Sequence, residues 1–217
     1  VTADFDYLKT VKDTAVEEGL PFGIIACDGG HIYEAEEGAR ALNRAVAYRW
    51  IDVAGFLGAK QVRVDSGGTL KMTDEQLKVI IAGYQDVIGY AKDRGVQIVV
   101  ENHWGPTNCP DNVIRILESV EGLGFLFDSN NWLSHRREEA WERTAHLAKA
   151  LHIKTFAFND DGMDPTMNVE RAIKLLQKTG YNGVWGIESC PHDGNEYAAA
   201  RKTISLIERV LSWSLES

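Results

Sequence analysis

The sequence predicts an α/β fold of the (β/α)8 type, a parallel sheet curled into a barrel and covered by helices. Three observations predict it. Extended and helical segments alternate strictly, six strands with seven helices, which is the pattern of a helix-covered parallel sheet. No strand is followed by a Gly-x-Gly-x-x-Gly turn, so an open dinucleotide-binding sheet has little support. Four consecutive strands carry Glu101, Asp128, His152 and Glu188 at or near their carboxyl ends. Strands lie about 4.8 Å apart, so four abreast in a flat sheet span roughly 14 Å. A cation holds its ligands at about 2.0–2.6 Å. The four side chains meet at one ion only if the sheet curls, and the barrel builds its site from the carboxyl ends of several strands. Three oxygen donors and one imidazole suit a hard or borderline divalent cation.

The elements follow in order. Asp4 to Gly19 has helical spacing (Leu8, Val11, Ala15) and stops at Gly19-Leu-Pro21. Phe22 to Cys27 reads as a strand, and a long helix runs from about Glu36 to Leu57, ending at Gly58. Gln61 to Asp65 is a strand closed by Ser66-Gly-Gly68. Thr73 and Gln76 have capping-box spacing, and the helix behind them repeats Leu77, Ile80, Ile81, Tyr84, Ile88 and Ala91 on one face. Val96 to Glu101 is an apolar, β-branched strand with Gly95 before it. A carboxylate at the end of such a strand is costly unless something binds it. A helix begins near Pro110 and turns Val113, Leu117 and Val120 inward. Leu123 to Asp128 is a strand, His135 to Lys149 a charged helix, and Leu151 to Phe156 the strand that carries His152. The next helix places Val169, Ala172, Ile173 and Leu176 inward and ends at Gly180. Gly183 to Glu188 is the last strand, and the final helix puts Ala200, Ile204, Ile207 and Leu211 on one face.

A closed barrel of this type has eight strands. With six counted and a helix at the front, one strand–helix–strand unit of roughly 30 or more residues is expected to be missing. On that count Val1 falls near the end of the second strand, and residues 1–217 form a single barrel domain holding strands three to eight. The formal charge of −9 argues against a large phosphate-tracking surface, and no nucleic-acid partner is expected. No apolar run spans a bilayer, and the opening residues do not read as a signal peptide. Cys27, Cys109 and Cys190 are few, odd in number and scattered. They read as reduced thiols of a cytoplasmic protein, with Cys27 and Cys190 as packing groups.

Four motifs together resemble the xylose isomerase-like barrel superfamily of sugar isomerases, ketose 3-epimerases and inosose dehydratases. Ile98-Val-Val-Glu-Asn-His103 is similar to its fifth-strand metal glutamate, and Phe125-Leu-Phe-Asp128 to its sixth-strand metal aspartate. Leu151-His-Ile-Lys154 is similar to its seventh-strand metal histidine, and Trp185-Gly-Ile-Glu188 to its eighth-strand metal glutamate. The stretch Ile51 to Val64 resembles the helix leading into its fourth strand. The resemblance covers essentially the whole chain. It implies one divalent ion (Mn, Mg, Co or Zn) held by Glu101, Asp128, His152 and Glu188. Glu101 and Glu188 would also serve as the acid–base pair. The cation would grip two adjacent oxygens of a hydroxy-carbonyl sugar or polyol and stabilise the enediolate left when a carbon-bound proton departs. A homo-oligomer is the assembly the resemblance suggests. The sequence departs from the family at two places. Asn131 stands where many members have a substrate-contacting histidine, and Phe156-Ala-Phe-Asn159 lacks the arginine that ketose 3-epimerases tend to carry.

Other residues near the strand ends have two readings each. His103 is a substrate partner at the pocket mouth or an ordinary loop histidine. Lys154 shares the His152 face of its strand and binds substrate, or it pairs with Asp128 or Glu188. Arg63 and Asp65 contact substrate or form a buried ion pair. Trp104 and Trp132 wall a sugar pocket or pack loops. His31, His135, His146 and His192 receive no role. The leading functional expectation is a sugar or sugar-phosphate isomerase or epimerase. A dehydratase of a cyclic polyol would use the same site. An apurinic-type endonuclease would need more metal ligands than line up here, and the fourth alternative is a sugar-binding barrel without turnover.

Overall fold

The computed structural model describes residues 4–213. The expectation for Val1 lies outside them. The chain alternates as its patterning requires: α1 (Phe5–Glu17), β1 (Ile24–Cys27), α2 (Glu37–Leu57), β2 (Gln61–Val64), α3 (Asp74–Lys92), β3 (Gln97–Glu101), α4 (Pro110–Ser119), β4 (Gly124–Asp128), α5 (Arg137–Thr144), β5 (Ala148–Thr155), α6 (Val169–Lys178), β6 (Ile187–Ser189) and α7 (Glu196–Trp213). The signals at helix ends work as written. Asp4 Oδ1 accepts from the Asp6 amide at 3.0 Å, and Thr73 with Gln76 closes a capping box. Gly58 ends α2 in the left-handed conformation, φ 79°, that a side chain would oppose.

The six strands form one parallel sheet in the order β1-β2-β3-β4-β5-β6. Among the described residues β1 and β6 are each paired on one side only. The sheet is strongly curled. Gln61 at the start of β2 donates to the Lys149 carbonyl of β5 at 3.2 Å, across two intervening strands. In a flat sheet those strands would lie about 14 Å apart.

Strand parity divides the side chains. Val62, Val64, Ile98, Val100, Phe125, Phe127, Leu151 and Ile153 face outward and pack on helix residues such as Ile51, Ile80, Tyr84, Ile116 and Trp141. The opposite parity faces the interior. There Val99, Leu126 and Ala150, with Ile24 against them, form a small apolar floor. Glu101, Asp128 and His152 each lie one inward position further along the same strands.

Three element expectations are corrected. The helix expected over 135–149 is shorter: α5 is flanked by 3-10 turns at Ser134–Arg136 and Ala145–Leu147, and Ala148 already pairs with Phe125 in the sheet. Sheet pairing outweighs the helical propensity of those residues. The strand expected over 183–188 is reduced to Ile187–Ser189. Gly186 instead passes so close to β5 that an added Cβ would stand 2.1 Å from the Leu151 carbonyl oxygen, while its own carbonyl accepts from Ile153 N at 2.8 Å. In α7 the inward face is Ala199, Thr203, Leu206, Ile207 and Val210, and Ile204 is 43% exposed. Thr203 turns that face inward because its hydroxyl meets the Thr155 hydroxyl at 2.8 Å.

Candidate metal centre

Glu101 closes β3 fully buried, with its two oxygens facing different neighbours. Oε1 lies 3.1 Å from His152 Nδ1 and accepts weakly from Asn131 Nδ2 at 3.4 Å. Oε2 accepts from Arg63 Nη1 at 3.0 Å. Asp128 closes β4 at 0% exposure. Its Oδ1 accepts from the amides of Asn130 and Asn131 at 2.6 and 2.8 Å. Its Oδ2 is buried without a hydrogen-bond partner, and the nearest cation, Lys154 Nζ, is 3.4 Å away. His152 Nδ1 also lies 3.1 Å from Glu188 Oε2 on β6. Glu188 is the more open carboxylate, and Lys154 Nζ reaches its Oε1 at 3.1 Å.

One ligand atom from each of Glu101, Asp128, His152 and Glu188 falls within 4.8 Å of the others. A sphere built on bonds of 2.0–2.6 Å is about 4–5 Å across, so the donor set has the dimensions a divalent cation needs. The orphaned Asp128 oxygen is the second sign of fit, because a buried carboxylate oxygen without a partner is costly.

The electrostatics of the cluster follow from crowding three carboxylates. Burial pushes the Asp128 carboxyl up to about 7, against the pull of Lys154. Burial would lower His152, but its hydrogen bonds to Glu101 and Glu188 outweigh this and raise it to about 9. Burial would raise Glu188, but the His152 hydrogen bond and the Lys154 charge hold it down at about 2. An imidazolium and an ammonium thus balance the acids where a cation would otherwise do so.

The flanking residues take definite places. Lys154 pairs with both acids and also donates to Asn131 Oδ1 at 3.1 Å. Asn131 therefore sits between Glu101 and Lys154. Arg63 is buried among Glu101, Asp65 and Asp28, a partner the sequence did not suggest. His103 Nδ1 lies 2.9 Å from Asp65 Oδ2, and that hydrogen bond raises its pKa. Trp104, 37% exposed, donates its indole N–H to the same oxygen at 3.1 Å and stands edge-on to His31.

Of its two readings Trp132 takes the packing one, buried against Phe125 and Phe127. One assignment is corrected. Cys190 is exposed rather than packed, whereas Cys27 is buried and its thiol is pushed up to about 12 by that burial. One residue near the site was passed over. Asn102, wholly buried, donates to the Asp128 carbonyl at 2.9 Å and accepts from the Asp128 amide at 2.8 Å. It clamps the end of β4 to the end of β3. An amide side chain continuing an apolar strand was the available signal.

Comparison with known proteins bears on the fold. The chain is similar in structure to the 3-keto-D-glucoside 4-epimerase YcjR of E. coli, with a TM-score of 0.70 and 15% identity over 98% of this chain and 85% of that one. It is similar to a xylose isomerase-like TIM barrel protein of Mycobacterium smegmatis in complex with magnesium, with a TM-score of 0.72 and 17% identity over 98% and 80%. It is also similar to the IOLI protein with a bound zinc atom, with a TM-score of 0.72 and 16% identity over 94% and 84%. No curated protein sequence matches the chain. The family model described as xylose isomerase-like TIM barrel matches residues 2–210, and the chain belongs to that family.

Proposed function

We propose that this chain is a divalent-metal-dependent sugar isomerase or epimerase that moves a proton at a carbon beside a carbonyl. The observation that carries the reading is the convergence of Glu101, Asp128, His152 and Glu188 within one coordination sphere, with Asp128 Oδ2 buried and without a hydrogen bond. The epimerase among its structural relatives, and the magnesium and zinc named with two others, support it.

The four residues would hold the ion, which supplies positive charge to the adjacent oxygens of a hydroxy-carbonyl substrate. Glu101 and Glu188 lie on either side of His152 Nδ1, each 3.1 Å from it. One carboxylate takes the carbon-bound proton and the other returns it, to the neighbouring carbon or to the opposite face. Arg63 fixes Glu101 Oε2, which turns Oε1 toward His152 and Asn131, the side the substrate would occupy. Lys154 and Asn131 present an ammonium and an amide beside Glu188 and Glu101, positioned to hold a substrate hydroxyl. His103 and Trp104 stand further out at Asp65 and would meet the far end of the sugar.

The test is proton exchange. In deuterated buffer with Mn, Mg, Co or Zn, a panel of ketoses and their phosphates should include one whose carbon-bound hydrogen is replaced. E188Q should abolish that exchange while leaving the fold intact by circular dichroism. Exchange that persists in E188Q contradicts the assigned role.

A further inference from the structure

A second group of ligating atoms adjoins the centre. Asp65, Glu101 and His103 also present donor atoms within 4.8 Å of one another, and Glu101 belongs to both groups. The Arg63 guanidinium lies on this second group. Nη1 is 3.0 Å from Glu101 Oε2, 2.9 Å from His103 Nδ1 and 3.4 Å from Asp65 Oδ2. Nη2 reaches Asp28 Oδ1 at 2.6 Å. One nitrogen of a 4% exposed arginine is thus within reach of all three donors.

The fit of the guanidinium is incomplete. Asp65, 6% exposed, uses Oδ2 for His103 and Trp104, while its Oδ1 is buried with no hydrogen-bond partner. Arg63 Nε is buried and unpartnered too. A planar group with donors in a fixed fork cannot satisfy three converging ligands as a spherical ion does. The two oxygens of Glu101 divide in the same way, Oε1 toward His152 and Oε2 toward Arg63. That is the arrangement of a carboxylate bridging two cations, and paired metal ions stand about 3.5–4 Å apart in sites that use two.

We propose that Arg63 is a built-in cation that fills a second metal pocket formed by Asp65, Glu101 and His103, and so holds the centre to one metal ion. The inference rests on the reading that Glu101, Asp128, His152 and Glu188 bind the first. Removing the guanidinium leaves two carboxylates and an imidazole facing an empty pocket, a donor set suited to zinc or manganese. Keeping a positive charge there keeps the pocket closed.

The experiment counts metal. Full-length protein is stripped with chelator, titrated with Zn²⁺ or Mn²⁺ by calorimetry, and checked by elemental analysis. Wild type should take up one equivalent, R63A two, R63K one, and R63A/D65N one. If R63A does not fold, R63M keeps most of the apolar stem without the charge and carries the same arm. Two equivalents in wild type overturn the inference, as does a single equivalent in a folded R63A or R63M. One equivalent in both proteins removes only the role of Arg63. No metal in either removes the reading of the first site as well.

Discussion

The two ends of the same strands are built on opposite principles. Toward their amino ends the inward residues Val99, Leu126 and Ala150 make a dry apolar floor. One inward position further on, Glu101 and Asp128, buried, and His152, half-buried, crowd charge into a space largely shielded from solvent. The floor gains stability from transfer out of water. The rim loses stability by the same transfer and recovers part of it through ion pairs with Lys154 and Arg63. A register shift of one residue would exchange the two faces, so the floor fixes the register that assembles the rim.

The largest expected break in this comparison is at the floor. Leu126→Ala should cost about 2–5 kcal/mol of unfolding free energy by chemical denaturation, because it opens a cavity in a fully buried layer. The charged neighbour two residues on should behave otherwise. Asp128→Asn should abolish metal uptake in calorimetry while shifting the metal-free stability by no more than about 1 kcal/mol, since it removes a carboxylate that burial already disfavours.

The second expected effect is on pH. His152 has its folded pKa raised to about 9 from 6.5, so its contribution is complete below pH 6.5 and is lost as pH climbs through 9. That contribution is about 3 kcal/mol. Asp128, raised to about 7 from 3.8, acts in the same direction over a lower range. Glu188, held at about 2, loses its contribution only as pH falls below 4.5. Thermal melts of metal-free protein should therefore fall steadily from pH 6.5 to 9. Saturating metal should reverse the trend, because a ligating imidazole must be neutral and binding strengthens as protons become scarce. A flat profile without metal would mean that His152 is not the imidazolium between Glu101 and Glu188.

A smaller effect is expected at the clamp. Asn102→Ala strips two hydrogen bonds from the Asp128 backbone and leaves a buried amide and carbonyl unpaired, at a cost of about 1–3 kcal/mol. Metal affinity should fall with it, while Asn102→Asp keeps the acceptor for the Asp128 amide, loses the donor to its carbonyl, and should leave affinity below wild type. Affinity unchanged in Asn102→Ala would show that Asp128 is placed by β4 alone.

These contrasts also explain what the chain made legible. Strand parity put Arg63, Glu101, Asp128, His152 and Lys154 on one face, because period-two alternation leaves no other choice once the outward residues are apolar. The alternation of strands and helices was equally plain. Glu188 was legible as a residue though its strand was not, since only Ile187–Ser189 pair with β5 and Gly186 joins them through a single carbonyl. The inward face of α7 was hidden because a threonine, not an isoleucine, faces the sheet, satisfied by the Thr155 hydroxyl. Asn102 was marked only by an amide at the end of an apolar strand, and its partner on Asp128 lies 26 residues on. Trp132 packs on Phe125 and Phe127, close in sequence, but only the turn of the chain after β4 decides that it faces them.

The account turns on one ion among four strand ends. Crystals of the wild-type protein soaked in Mn²⁺ or Zn²⁺ would settle it by anomalous scattering. The account predicts a single peak within about 2.0–2.6 Å of Glu101, Asp128, His152 and Glu188. No peak at saturating metal, or a peak bound elsewhere while these four keep their mutual contacts, would contradict it.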